Sequence, residues 1–456
     1  MNGGRERGMS RVTNMTVGNP EKLMIRFAVP LLLANLGQQF YMIVDAMIVG
    51  RGVGVEALAA VGATDWAYWL ALWIVLALTQ GFAIPISQYF GEGNHKMIQK
   101  SVATSVRLSL IIGAPLTIIC LLIARPILRI LKTPGAIFEM ASCYLMIMFG
   151  GILIVMAFNM ASAILRSLGD GKTPLIAIAI AAVTNIALDL LFVFVFHWGV
   201  AGAAIATISA QLLAFVYCFL VLRKMDLMEI KKEDWKSDRN IIRNQCALGV
   251  PLALQHVLIA VGGMILQSAI NQQGLVFVAG FTATNKVYGL LESSAISIGY
   301  AVTTYMAQNY GAGLHERIRL GLKSAVKFAA LLSVIISCAM ILGGKFILRL
   351  FVDQQNPSAP EVLEIAYHYL FIMSCLLCIL YLLYVFRNTL QGMGNASVPF
   401  LSGIMEFCAR VSVALFFSRL IGREAIFFAE PFAWLAAAVV LAVICLKKVK
   451  ELDAER

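Results

Sequence analysis

The chain has 456 residues, of which 60% are hydrophobic and only 13% charged, with a formal net charge of +11; ordinary soluble domains carry about 25% charged residues. So few charges cannot cover the surface of a soluble fold of this size, and apolar runs of about 20 residues or more match a hydrocarbon core of roughly 30 Å at about 1.5 Å per helical residue. Ten-residue alternation is absent, which excludes a β-barrel and leaves helices that satisfy their own backbone groups in lipid.

Twelve spans are predicted, near 24–49, 58–84, 99–124, 139–161, 173–196, 199–222, 245–272, 277–304, 320–350, 362–386, 397–418 and 427–446. The first is too long for a signal-peptide core and is read as a retained span. It carries Pro30, which removes an intrahelical bond and bends the helix, then Gln38 and Asp45. In the second span, Asp65 faces the outer headgroup zone, and Trp66, Tyr68 and Trp69 read as interfacial anchors, as does Trp198. The turn that follows holds Gln88, Gly91 and Gly93. Arg107 in span three snorkels or pairs. Span four brings Tyr144 and Asn159, and ends in Leu165-Arg166-Ser167-Leu168-Gly169-Asp170-Gly171. Gly91, Gly93, Gly169 and Gly171 are expected to permit tight reversals. Span five holds Asn185 and Asp189, four residues apart and hence on one helix face; span six holds Thr207.

The polar connection 223–243 divides an N-terminal lobe (1–222) from a C-terminal lobe (244–456). It is basic, with Arg223, Lys224, Lys231, Lys232, Lys236, Arg239 and Arg243. Most of the remaining Lys and Arg fall on the same alternate loops and on both tails, which places both termini in the cytoplasm. The positive charge is therefore a topology and lipid-headgroup signal, with no nucleic-acid partner. Beyond the loop, Pro251 bends span seven, whose early polar residues are Gln255 and His256. Span eight holds Asn285, Lys286, Tyr288 and Glu292. Cys375 and Cys378 in span ten have no second cysteine pair to complete a metal site and read as packing residues. Glu406 and Arg410 in span eleven have the spacing of a static i,i+4 pair.

The halves repeat one another. Gln88-Tyr89-Phe90-Gly91 answers Gln308-Asn309-Tyr310-Gly311 at an offset of 220, Leu165–Gly169 answers Leu390–Gly394 at 225, and Val29-Pro30-Leu31 answers Val250-Pro251-Leu252. Six spans per copy is an even number, so the repeats are parallel, a plan able to enclose a cavity and alternate its exposure.

A membrane-embedded acid is costly and is a functional hypothesis by default. Spans one and five both run outward with Asp45 and Asp189 late in them; spans four and six run inward with Tyr144 and Thr207 early. All five polar residues, Asn185 included, therefore lie in one outer layer of the first lobe. Two carboxylates in a low-dielectric cavity resist double ionisation and share a proton; the same oxygens suit Na⁺, and residue types alone do not choose between these cations. A static polar network is the alternative reading. Lys286, Glu292, Gln38 and Asn159 are candidate lining residues of a substrate cavity.

The Val44-Asp45-Ala46-Met47-Ile48-Val49-Gly50 segment, the paired Gln-x-x-Gly motifs, the Leu165–Gly171 turn and Asn185-Ile186-Ala187-Leu188-Asp189 together resemble the MATE family, the multidrug and toxic compound extrusion transporters, over essentially the whole chain. The resemblance implies an all-α polytopic membrane protein with twelve helices in two parallel six-helix bundles arranged as a V. It further implies a monomer in the inner (cytoplasmic) membrane exporting small organic, often cationic or drug-like, solutes in exchange for H⁺ or Na⁺, with no cofactor. The sequence looks closest to the DNA-damage-inducible subgroup, whose coupling network falls on Asp45, Tyr144, Asn185, Asp189 and Thr207. Spans seven and ten lack the mid-span acids of the other bacterial branch, which removes a C-terminal Na⁺ site but leaves Na⁺ at Asp45 and Asp189. An enzyme is disfavoured for want of any catalytic motif. The competing reading is a flippase of lipids or lipid-linked precursors, which shares the two-lobed plan but calls for a basic central groove.

Overall fold

The computed structural model describes residues 12–352 and 357–454, and the regular structure there is helical throughout. In chain order the helices are α1 (Pro20–Gly52), α2 (Val55–Glu92), α3 (His95–Ile130), α4 (Gly135–Gly150), α5 (Ile152–Ser167), α6 (Lys172–Asp189), α7 (Gly199–Arg223), α8 (Arg239–Asn271), α9 (Leu275–Gly311), α10 (His315–Arg349), α11 (Ala359–Gly392), α12 (Ser397–Ser412) and α13 (Ala429–Ala454). Two π-helical segments extend them, Leu190–Val195 directly after α6 and Val413–Phe417 directly after α12.

Among the described residues, ten helices are singly long and apolar enough to cross a membrane, and the pair α4 and α5 passes as an eleventh, bent by 44°. The expected fourth span is therefore a broken one. Its break falls at Gly150-Gly151, where a Cβ on Gly151 would run into the Ile208 side chain, so the glycine lets α7 approach the corner. The remaining long helix, α9, has 37 residues but falls outside this apolar set. Thr282, Asn285, Lys286, Glu292, Ser293 and Ser294 dilute its hydropathy. Several helices run to 33 residues or more, beyond the predicted spans. Their surplus, at about 1.5 Å per residue, projects past an apolar layer of about 30 Å. Pro30 and Pro251 both sit within uninterrupted helices.

The contacts divide into two compact units, one of Val29–Ala253 with the segment ending at Met15, the other of Thr16–Ala28 with Leu254–Arg456. In the first, α2 packs on α3, α4 and α5, and α7 on α5 and α6; in the second, α9 packs on α10 and α11, and α13 on α11 and α12. Small residues make these approaches close. The buried face of α7 is Ala203, Ala204, Ala206, Ala210 and Ala214, and a Cβ on Gly81 would overlap the backbone of Gly249. Without a hydrophobic drive between helices in lipid, such small-residue faces supply van der Waals contact.

Candidate cation-coupling site

Asp45 sits on α1 seven residues before its end, and Asp189 closes α6 at the point where the helix widens into its π segment. Such π segments recur at functional positions because they release a backbone group and re-aim side chains. The two carboxyls lie within hydrogen-bonding reach of each other. Asn185 is one turn below Asp189 and donates its Nδ2 to Thr207 Oγ1 on α7 at 3.3 Å. Tyr144 on α4 is buried and neighbours Asp45, Asp189 and Tyr68. All five residues singled out in the sequence are thus gathered in the first unit.

The polar inventory there is lopsided. Asp45 Oδ1, both carboxyl oxygens of Asp189, and Asn185 Oδ1 are buried without a hydrogen-bond donor. Asp189 is fully buried and Asn185 nearly so. Four acceptor oxygens facing no donor is an arrangement that burial penalises heavily. A proton held between the carboxyls, or a cation among the oxygens, is the chemistry that satisfies it. Tyr144 belongs to an apolar cluster with Ile48, Val49, Met148, Val193, Val200 and Ala203, drawn from the helices that carry the acids and from α4 and α7. The acids therefore have an apolar neighbour in their own helices.

Two neighbours were not assigned to this site from sequence. Tyr41, one turn before Asp45, lies beside that carboxyl and within reach of Gln38. Tyr68 stands near Tyr41 and Gln211 with its hydroxyl buried, which corrects its reading as an interfacial anchor; Trp66 and Trp198 do remain exposed. The i,i+4 spacing of Tyr41 to Asp45 was the available signal. Gln38 thus joins the outskirts of this group, whereas Asn159 spends its amide on Val155 O of its own helix at 2.8 Å.

The other candidates fall in the second unit. Lys286 is exposed on α9, while Glu292 accepts from the Tyr384 hydroxyl at 3.0 Å. Glu406 and Arg410 approach to 3.6 Å, but each has a stronger partner: Arg387 hydrogen-bonds Glu406, and Arg410 grips Glu430 through Nε at 2.9 Å and Nη2 at 2.7 Å. The expected isolated pair is therefore part of a chain of four charges, Arg387, Glu406 and Arg410 buried and Glu430 half-buried. Arg107 hydrogen-bonds Trp235 O at 3.1 Å. Cys375 and Cys378 are free thiols, and among the described residues no three His, Cys, Asp or Glu gather as a metal site.

Comparison with known proteins matches both halves. The MatE family model covers residues 30–191 and again 251–416. The probable multidrug resistance protein YpnP of Bacillus subtilis is 31% identical over 353 residues, spanning 76% of this chain and 78% of that protein. The multidrug export protein MepA of Staphylococcus aureus is 20% identical over 425 residues, 92% of this chain and 93% of its own. A solved structure described as MATE in the bent conformation shares the fold, with a TM-score of 0.89 at 22% identity over 98% of this chain and 99% of that one. Matched by one family model in each half, and by a relative along three quarters of its length, this polytopic membrane protein belongs to the MatE family and is a secondary transporter of the MATE kind.

Proposed function

We propose that the protein is an antiporter that exports organic, cationic or drug-like solutes in exchange for H⁺, with Na⁺ as the alternative ion, by alternating access of two lobes. The donor-poor cluster of Asp45, Asp189 and Asn185 carries the reading. Asp45 and Asp189 hold the coupling ion, Asn185 and Thr207 orient around it, and Tyr144 walls it in. Protonation relieves the repulsion between the two carboxyls and changes the partners of α1, so that Pro30 serves as the bend through which the site's state reaches the rest of the helix. Gln38 and Asn159 in the first unit, and Lys286 and Glu292 in the second, are the candidate solute-contacting residues.

On this reading α9 is the twelfth span, the lobes are 1–222 and 244–456, and the protein is a monomer of the cytoplasmic membrane with both termini inside. Its N-terminal acids support kinship with the DNA-damage-inducible subgroup. The test is transport of organic cations in proteoliposomes under imposed proton and sodium gradients. Wild-type protein should transport with a proton gradient, and both Asp45→Asn and Asp189→Asn should lose the coupled component by at least about tenfold, the effect of about 1.4 kcal/mol. Undiminished coupled transport by Asp45→Asn removes the proposed mechanism.

A further inference from the structure

A cavity of about 280 Å³ opens in the first unit, well away from Asp45 and Asp189. Its walls are the loop-side ends of three helices, with Val106 from α3, Met156 and Met160 from α5, and Phe215 and Phe219 from α7. Arg223 and Trp235 stand at its rim. An apolar cavity of about 150 Å³ takes one benzene, and drug-sized ligands fill about 300–1,000 Å³. This space therefore suits a length of hydrocarbon chain rather than a whole polycyclic solute.

The rim is built, and the charge that lines it is Arg223. Asp234 is buried, ion-paired to Lys96 at 2.7 Å, and accepts the Lys231 amide at 2.9 Å. That pins the short 3₁₀ turn Lys232–Trp235 against α3. Arg107 bonds Trp235 O at 3.1 Å and Ser237 Oγ at 3.4 Å, which ties down the end of that turn and Ser237 beyond it. The Arg223 guanidinium is exposed and stacks 5.9 Å from the Phe219 ring, and on the same loop Lys224, Lys231, Lys232 and Lys236 are exposed and outnumber the exposed acids Asp226, Glu229 and Glu233. An apolar slot with an arginine at its mouth, a loop with an excess of exposed lysines beside it and a half-exposed tryptophan at the boundary has the layout of a lipid contact.

We infer that this cavity holds one acyl chain of an anionic phospholipid whose headgroup rests on Arg223 and the lysines of the inter-lobe loop. The inference is independent of the coupling mechanism and rests on the loop being cytoplasmic. Delipidated full-length protein in detergent, titrated with dioleoyl-phosphatidylglycerol or dioleoyl-phosphatidylcholine and read by native mass spectrometry, tests it. Wild type should retain one phosphatidylglycerol with preference over phosphatidylcholine. Arg223→Gln, which removes the charge at the mouth and its stacking on Phe219, should reduce that preference about fivefold, the weight of one basic residue at an anionic surface. Ala157→Phe, which fills the slot, should abolish the retained lipid. In brominated-acyl phosphatidylglycerol, wild type should show a component of fluorescence quenching that Trp235→Phe lacks. Equal retention of the two lipids by wild type overturns the headgroup assignment. Retention by Ala157→Phe together with quenching insensitive to Trp235→Phe overturns the site.

Discussion

Glu406 stands between two arginines in the second unit, and both of them are nearly buried. Arg410 keeps its bidentate grip on Glu430 if Glu406 is lost. Arg387 keeps a hydrogen bond to Ser402 Oγ, at 3.3 Å, and its stacking on the Tyr384 ring, and neither carries a counter-charge. Glu406→Gln therefore strands a buried guanidinium, and the expected destabilisation is about 3–5 kcal/mol, seen as a large drop in the thermal midpoint of purified protein; a midpoint unchanged by the substitution contradicts the account. Outside the membrane, Asp234 offers the cleaner titration. Burial works to raise its carboxyl, but the Lys96 ion pair and the Lys231 amide outweigh burial and hold it below the usual carboxylate range. A depressed folded value means stability that is present above the unfolded value of about 3.9 and is lost as pH falls through the folded value. The stability gap between wild type and Asp234→Asn should therefore be flat at neutral pH and close as pH falls below about 4. At this scale the sequence was informative where spacing was local: Asn185 and Asp189 share a face by rule, and the Glu406–Arg410 approach was legible. Arg387, Glu430 and Tyr384 were not, because their partners come from other helices and no spacing encodes that.

The repeat is legible at the level of whole helix ends. In both halves the Gln-x-x-Gly helix closes on a left-handed glycine, Gly93 at φ 75° and Gly313 at φ 67°. The 165–169 and 390–394 turns close on Gly169 at φ 85° and Gly394 at φ 78°. The hydrogen bonds also correspond: Asp170 N to Leu165 O and Asn395 N to Leu390 O are both 2.9 Å. The next side chain then caps the following helix, Asp170 Oδ1 accepting Thr173 N at 2.9 Å and Asn395 Oδ1 accepting Val398 N at 3.1 Å. Such caps satisfy the orphan groups of both flanking helices. Not every glycine in these turns is needed for its freedom. Gly91 is helical and Gly171 lies at φ −91°, so the expectation of four turn glycines reduces to Gly93 and Gly169. Gly169→Ala should lose about 1–2 kcal/mol for the left-handed backbone alone, with more from the close approach to Thr13 O, whereas Gly171→Ala should leave the thermal midpoint nearly unchanged. Equal midpoints for the two variants contradict the assignment. The broken fourth span and the π segments escaped sequence reasoning for a physical reason: both keep an apolar composition, and periodicity does not distinguish a widened or bent helix from a straight one.

Across the molecule, the duplicated scaffold holds two buried polar centres of opposite character. Tyr68 and Tyr144 in the first unit correspond, at the offsets of 220 and 225 residues, to Tyr288 and Tyr369 in the second. The first pair accompanies Asp45 and Asp189, and the second accompanies Arg410 and Glu430. One centre holds four acceptor oxygens that no hydrogen bond satisfies; the other is an ion pair already closed by two hydrogen bonds. A group that must bind and release a cation needs unsatisfied oxygens, while a bidentate arginine–carboxylate pair holds helices together. Composition and spacing revealed the duplication and the first centre's acids, but this division of labour emerges only when partners from different helices are seen together. It predicts separable phenotypes. Glu430→Gln should lower the yield and thermal midpoint of folded protein while the pH profile of transport, per mole of folded protein, keeps its shape. Asp189→Asn should do the reverse: removing one of two facing carboxyls relieves repulsion, so the midpoint holds or rises, and the pH dependence of transport flattens. Proteoliposome transport across pH, with melting curves on the same preparations, measures both. A flattened profile in Glu430→Gln at unchanged stability would move the coupling chemistry into the second unit, where Glu292 with its Tyr384 contact becomes the carboxyl to examine.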